Sequence, residues 1–209
     1  MTSEQPELEI QPVDVVSDDA LLAEVAAGDE QALLALYGRH VRPVYALVLR
    51  MLHDDAAAEE VVQDAFLRIW RRAGDYDPVR ATFRGWLLSI AHHLSVDVLR
   101  RRRSRLSTFG RSLEARPSVL EEPRTLDVGA DPVAMAENAE TRATVRDALS
   151  ALPSAQRSAI ELAYFGGLTQ NEIAETTGIP LGTIKSRIRF GMLALQGELE
   201  QRGLGVGGR

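Results

Sequence analysis

LSALPSAQRSAIELAYFGGLTQNEIAETTGIPLGTIKSRIRFGMLAL, residues 149–195, decides the fold. Pro153 breaks one helix, and a second is expected from Ser154 to Phe165. Gly166 and Gly167 interrupt it. Thr169 and Glu172 stand at capping-box spacing, so a short helix is expected to Thr177. Gly178 and Pro180 then make a turn, and a last helix is expected from near Gly182 to about Gln201. A short helix, a tight turn with Gly, and a second helix form a helix-turn-helix pattern. Thr183, Lys185, Ser186, Arg187 and Arg189 crowd the start of that second helix. In this motif the start of the second helix enters the DNA major groove. Arg and Lys there can pair with guanine edges or with phosphates, and Ser serves either. Ile184, Ile188, Met192 and Leu195 are expected to form its inward stripe.

Upstream, Asp18 is expected to cap a helix from Asp19 to Ala27, closed by Gly28. Asp29 should cap the next, running to about Leu52, where Pro43 introduces a kink. Asp54 and Asp55 open a third, Ala56 to Arg72, with Val62, Phe66, Ile69 and Trp70 on its apolar side. After a turn at Gly74 to Pro78, Thr82 should cap a fourth, from Phe83 to about Arg103. Asp131 followed by Pro132 marks a fifth, to Ala151. No segment alternates as a strand does. The expectation is an all-α fold of two small helical domains joined by a flexible linker. A disordered acidic arm covers 1–17, the first domain 18–104, the linker 105–131, the second domain 132–201, and a flexible tail 202–209.

The chain has 209 residues, a formal charge of -6 and no cysteine. The absence of cysteine removes disulfides and thiolate metal sites. No apolar run approaches the ~18 residues of a membrane span, and the acidic start is unlike a signal peptide, so a cytoplasmic location is expected. A net acidic chain also argues against indiscriminate DNA binding. The distribution of charge says more. Residues 1–30 hold nine acidic side chains and no basic one, whereas 100–105 read RRRRSR.

Three segments, LPxxQR from Leu152, YFxGLTxxEIA from Tyr164 and PLGTIKSR from Pro180, stand in one order at close spacing. They resemble region 4 of sigma-70 family transcription initiation factors, in the extracytoplasmic-function subgroup. Residues 59–70, EEVVQDAFLRIW, resemble the family's region 2 helix that docks on the clamp coiled coil of RNA polymerase. Residues 76–103, YDPVRATFRGWLLSIAHHLSVDVLRRRR, resemble the segment that reads and melts the downstream (-10) promoter element, with details similar to a SigK-like branch. The resemblance implies a promoter-specificity subunit of core RNA polymerase, without enzymatic activity or a cofactor. It assigns core binding to the polar face formed by Glu59, Glu60, Gln63 and Asp64. It assigns the downstream box to Arg80, Arg84, His93, Asp97, Arg100 and Arg101, with Arg102 and Arg103 adding charge. His93 stands where the family usually carries Asn. The upstream (-35) box falls to Thr183, Lys185, Ser186, Arg187 and Arg189. Family members are usually held inactive by an anti-sigma factor, often membrane-anchored. Promoter boxes about 17 base pairs apart are roughly 60 Å apart. The linker is long enough to reach, if core polymerase holds it open.

Other chemistry is weaker. Phe83 and Trp86 suggest base-stacking platforms, but Trp86, Ile90, Leu94 and Val98 are spaced by four, which places Trp86 in the core. Ser89, His93 and Asp97 have triad-like spacing, yet no nucleophile turn or oxyanion donors accompany them, and a His93–Asp97 pair on one helix explains the spacing. His92 and His93 diverge on a helix, so no metal site is expected. The alternatives are a dimeric helix-turn-helix regulator acting without polymerase and a hydrolase built on the His92–His93 helix. The first predicts specific duplex binding by the chain alone. The second predicts activity that survives loss of the last 75 residues.

Overall fold

A computed structural model describes the backbone of residues 16–108 and 132–204. The arm (1–15), most of the linker (109–131) and the tail end (205–209) lie outside the described residues. All regular structure among the described residues is helical. In chain order the helices are α1 (Asp18–Ala26), α2 (Glu30–Leu52), α3 (Asp55–Arg72), α4 (Phe83–Thr108), α5 (Pro132–Ala151), α6 (Ser154–Tyr164), α7 (Gln170–Thr177) and α8 (Leu181–Gln201). A 3-10 turn, Ala73–Asp75, separates α3 from α4.

Local chemistry explains the boundaries. Asp29 accepts from the amides of Gln31 and Ala32, and Asp54 from that of Ala57, as expected of helix caps. Ser17, not Asp18, caps α1, through a 3.2 Å bond from the Ala20 amide. Asp18 is thereby inside the helix, and its carboxylate is free for tertiary pairing. α4 runs to Thr108, past the expected end near Arg103. No Gly or Pro stands between Arg103 and Gly110 to stop it.

α1 to α4 share one core. Leu22, Leu36, Val44, Val48, Ile69, Phe83 and Leu87 are essentially fully buried in it. Each such side chain stabilises by about 1.5–3 kcal/mol relative to exposure. Leu36→Ala is expected to cost about 2–5 kcal/mol, because the close-packed surround closes a cavity only partly. Urea unfolding should show a lower midpoint at unchanged slope. Val62, Phe66 and Ile69 are buried as expected, with Trp70 at the margin. The second group of helices packs Ala148, Leu152, Ala159, Ile160, Ile173 and Ile184.

The stripe expected along α8 is only half right. Ile184 is buried, Ile188 and Leu195 are half-buried, and Met192 is 51% exposed. Gly191 takes the inward place instead. A Cβ there would lie 2.8 Å from Ile160 Cδ1 and 3.1 Å from Gln156 Cβ, so α6 crosses α8 where no side chain intervenes. Phe190 and Leu193 are left exposed beside it.

His40 is buried on the α2 face that also carries Leu36 and Val44. Its Nε2 meets Asp18 Oδ2 at 2.6 Å, while Arg39 donates to Asp18 Oδ1 at 2.9 Å and to the Val16 carbonyl at 2.7 Å. Burial holds the His40 pKa below the usual histidine value; Asp18 opposes this, and Arg84 and Arg39 reinforce it. A group that resists protonation in the folded state contributes stability present above about pH 6.5 and lost as pH falls below it. Thermal stability is therefore expected to decline between about pH 7 and pH 5, and His40→Gln should flatten that decline. An equal slope in both proteins would contradict the assignment.

Candidate nucleic-acid interface

The helix-turn-helix is built from short-range bonds. Thr169 Oγ1 accepts from the Glu172 amide at 3.2 Å, and Glu172 Oε2 accepts from the Thr169 amide at 2.7 Å. This reciprocal cap fixes the start of α7. It also holds the Glu172 carboxyl below its usual pKa, with Arg103 and Arg100 adding to the effect. Gly178 closes α7 at φ +68, a left-handed conformation that suits glycine. Pro180 then accepts at its carbonyl from the amides of Thr183 and Ile184. Buried Ile173 and Ile184 pin α7 against α8.

With Ile184 inward, the start of α8 presents its polar side outward. Lys185 and Arg189 are exposed, and Thr183, Ser186 and Arg187 are half-exposed. Ser186 Oγ donates to the Thr183 carbonyl at 3.0 Å, so its hydroxyl is engaged locally. Arg187 lies at the rim of a cleft of about 240 Å³ between α6, α7 and α8, otherwise lined mainly by apolar residues such as Leu162, Ile179 and Ile184. The five residues expected at the upstream box thus share the first three turns of one helix.

A second cationic surface lies at the start of α4 and the turn before it. Asp77 Oδ1 accepts from the Val79 amide, and the Arg80 amide donates to the Asp77 carbonyl. This self-bonded turn presents Val79, 86% exposed, and exposed Arg80. Tyr76 anchors its base: the hydroxyl lies 2.8 Å from Asp19 Oδ1 on α1 and 3.0 Å from the Ala81 carbonyl. Burial, with Asp19 and Asp18 nearby, pushes the Tyr76 pKa up to about 12, so the phenol stays a donor at neutral pH. The Tyr76 ring packs 5.4 Å from Trp86. Phe83 is buried and offers no free stacking face, while Trp86 is half-buried against the core.

Along α4, His93, Asp97, Arg100 and Arg101 are exposed, and Arg84 is half-exposed. The expected His93–Asp97 pair does not form among the described residues. His93 Nδ1 instead bonds the Ser89 carbonyl at 2.7 Å, because a one-turn reach back to a carbonyl suits the short imidazole. The arginine run divides by face. Arg102 reaches Asp54 Oδ2 at 2.7 Å and the Leu52 carbonyl at 3.1 Å, and Arg103 reaches the α6–α7 loop. Only two of the four, Arg100 and Arg101, face solvent.

On α3, Glu59, Glu60, Gln63 and Asp64 are all exposed, opposite buried Val61, Val62, Ala65, Phe66 and Ile69. Thus the three residue sets lie on different elements: α3, α4 with the turn before it, and α8. Sequence reasoning missed the Asp18–His40 and Asp19–Tyr76 ties. The available signal was His40 in register with Leu36 and Val44, a buried polar group that must find a partner. Among the described residues no group of His, Asp and Glu is arranged to hold a metal ion, and no helix is long and apolar enough to cross a membrane.

An all-helical chain with a capped helix-turn-helix and a basic recognition-type helix falls in the class of helix-turn-helix proteins. The family comparisons narrow this class. Residues 36–105 match the model of sigma-70 region 2, and residues 142–195 that of sigma-70 region 4. The ECF RNA polymerase sigma factor SigK of Mycobacterium sp. (strain KMS) is 38% identical over 178 residues, 85% of this chain and 88% of that protein. Its counterpart in Mycobacterium tuberculosis (strain ATCC 25618 / H37Rv) is 37% identical over 182 residues, 87% and 93%. Among solved structures, Rhodobacter sphaeroides SigE in complex with the anti-sigma ChrR is 30% identical, with a TM-score of 0.40, over 86% of this chain and 96% of that one. The chain belongs to the extracytoplasmic-function group of the sigma-70 family, the RNA polymerase sigma factors.

Proposed function

We propose that the two helical groups divide the work of promoter recognition. Residues 18–104 bind core RNA polymerase through Glu59, Glu60, Gln63 and Asp64. They read and open the downstream box through Arg80, Arg84, His93, Asp97, Arg100 and Arg101. Residues 132–201 read the upstream box through Thr183, Lys185, Ser186, Arg187 and Arg189. The chain acts in the cytoplasm as a specificity subunit, not as an enzyme. A membrane-anchored anti-sigma factor restrains it.

The observation that carries this reading is that each residue set reaches solvent, wholly or in part, on an element of its own: α3, α4 with the turn before it, and α8. An acidic face suits a basic protein partner, adding specificity and on-rate. The basic sets suit phosphates and guanine edges. Solvent-facing Arg100 and Arg101 beside His93 offer a track for a separated strand. Permanganate probing of a cognate promoter tests the division. Thymines of the downstream box should become reactive only when chain and core polymerase are both present. Reactivity with the chain alone, or none with the complex, would contradict it.

A further inference from the structure

The turn ahead of α4 is built more firmly than a simple connector needs. Asp77 and Pro78 occupy the first two places of a four-residue turn, where each residue type is favoured. The Arg80 amide closes it on the Asp77 carbonyl at 3.1 Å, and the Val79 amide donates to Asp77 Oδ1 at 3.0 Å. Tyr76 and Ala81 flank it. The Tyr76 hydroxyl reaches the Ala81 carbonyl at 3.0 Å and so ties the two ends together. The same hydroxyl lies 2.8 Å from Asp19 Oδ1, which fastens the closed turn to α1. Asp18, the preceding residue, fastens α1 to Arg39 and His40 of α2. The Tyr76 ring packs against Trp86 and Phe83, with centroids 5.4 Å and 6.5 Å away. Past the turn, the Thr82 hydroxyl accepts from the Gly85 amide at 3.2 Å and caps α4. The exposed tip, Val79 and Arg80, is therefore held by its own backbone, by α1 and by the first turn of α4.

We propose that Asp19 and Tyr76 are positioning residues for the downstream box: through them α1 sets the angle at which the turn presents Arg80 beside Arg84 of α4. The proposal rests on the two-box reading, which gives both arginines to that box. Asp19 and Tyr76 act through the turn and not by touching DNA. A carboxylate in contact with a phosphate strand would oppose binding, whereas at the base of the turn the Asp19 carboxylate serves as an acceptor for the phenol. A separated strand is flexible, and two long arginine side chains lose further freedom when they grip it. A turn already fixed before the strand arrives removes part of that ordering cost. Loops that carry binding residues work in this way when a rigid scaffold holds them, and here α1 belongs to the scaffold.

The test measures initiation by the full chain on core polymerase, on a cognate promoter and on versions with single-base changes in either box. Tyr76→Phe removes the hydroxyl and keeps the packed ring. Tyr76→Phe and Asp19→Ala should each slow promoter opening by about 5- to 10-fold, within the range one hydrogen bond supplies. Both should also flatten the preference among downstream-box sequences, with core affinity, helicity and upstream-box preference unchanged. Asp19→Asn, whose amide oxygen still accepts from the phenol, should stay within about twofold of wild type. Asp19→Ala and Tyr76→Phe combined should be no worse than either alone, because the two act through one bond. A wild-type downstream preference in both Tyr76→Phe and Asp19→Ala would overturn the positioning role. So would an equal loss on every template, which a merely loosened fold would give. If the unmodified chain on core showed no preference at the downstream box, the two-box reading would fail and take the proposal with it. A wild-type preference that the variants retain would remove the positioning role alone.

Discussion

Changing Glu59, Glu60 and Asp64 together to lysine is expected to leave the chain folded and to weaken its binding to core polymerase by at least about 100-fold. All three side chains are exposed on α3, whose opposite face is buried in the core. The substitutions lie beyond the first turn of α3, so loss of favourable helix-dipole interactions should be small, under ~1 kcal/mol. The effect on a basic partner is much larger. Three attractions become three repulsions, and like-charge juxtaposition across an interface costs several kcal/mol, where about 2.7 kcal/mol is already 100-fold. Because exposed charges are screened, the difference between wild type and variant should shrink as salt rises. Competition binding against labelled wild type measures it. A triple variant that binds core within about threefold of wild type would remove the acidic face from the interface.

The second large effect concerns the start of α8. Lys185→Ala and Arg187→Ala are each expected to reduce promoter-specific initiation by roughly 5- to 150-fold, the span of about 1–3 kcal/mol for a lost base or phosphate contact. Salt dependence separates the two roles. A residue that reads a base edge relaxes preference at one position of the upstream box. A residue that clamps phosphate weakens all sequences alike and lowers the salt slope by about one. Exposed Lys185 is expected to behave as the phosphate clamp, through its compact ammonium. Arg187, half-exposed where it lines the cleft between α6, α7 and α8, is expected to read a base through its planar fork. Equal specificity in both variants and wild type would exclude the helix from recognition.

Elements with strong local causes were legible in the sequence. The capping box of Thr169 and Glu172, the Gly178 turn and the Asp29 and Asp54 caps depend on residues a few positions apart, and each forms as expected. The buried face of α3 follows from its period alone. Misreadings arose where distant packing decides. Spacing alone draws the α8 stripe through Met192, but the close crossing of α6 selects Gly191, which carries no hydrophobic signal. Spacing pairs His93 forward with Asp97, whereas its Nδ1–H donates to the nearer carbonyl of Ser89. The run Arg100–Arg103 gives no hint in its letters that Arg102 turns to Asp54 and Arg103 to Gly166. Partners 48 and 63 residues away leave no trace in local periodicity. The exposure of Glu59, Glu60, Gln63 and Asp64 was legible because they lie opposite an apolar stripe that the sequence of α3 displays openly.

Run-off transcription with purified core polymerase, with and without this chain, tests the central claim most directly. On a template carrying a cognate promoter, core with the chain should yield one discrete transcript that core alone does not produce, and the Glu59, Glu60, Asp64 triple-lysine variant should not restore it. A transcript pattern no more selective than that of core by itself would contradict the account.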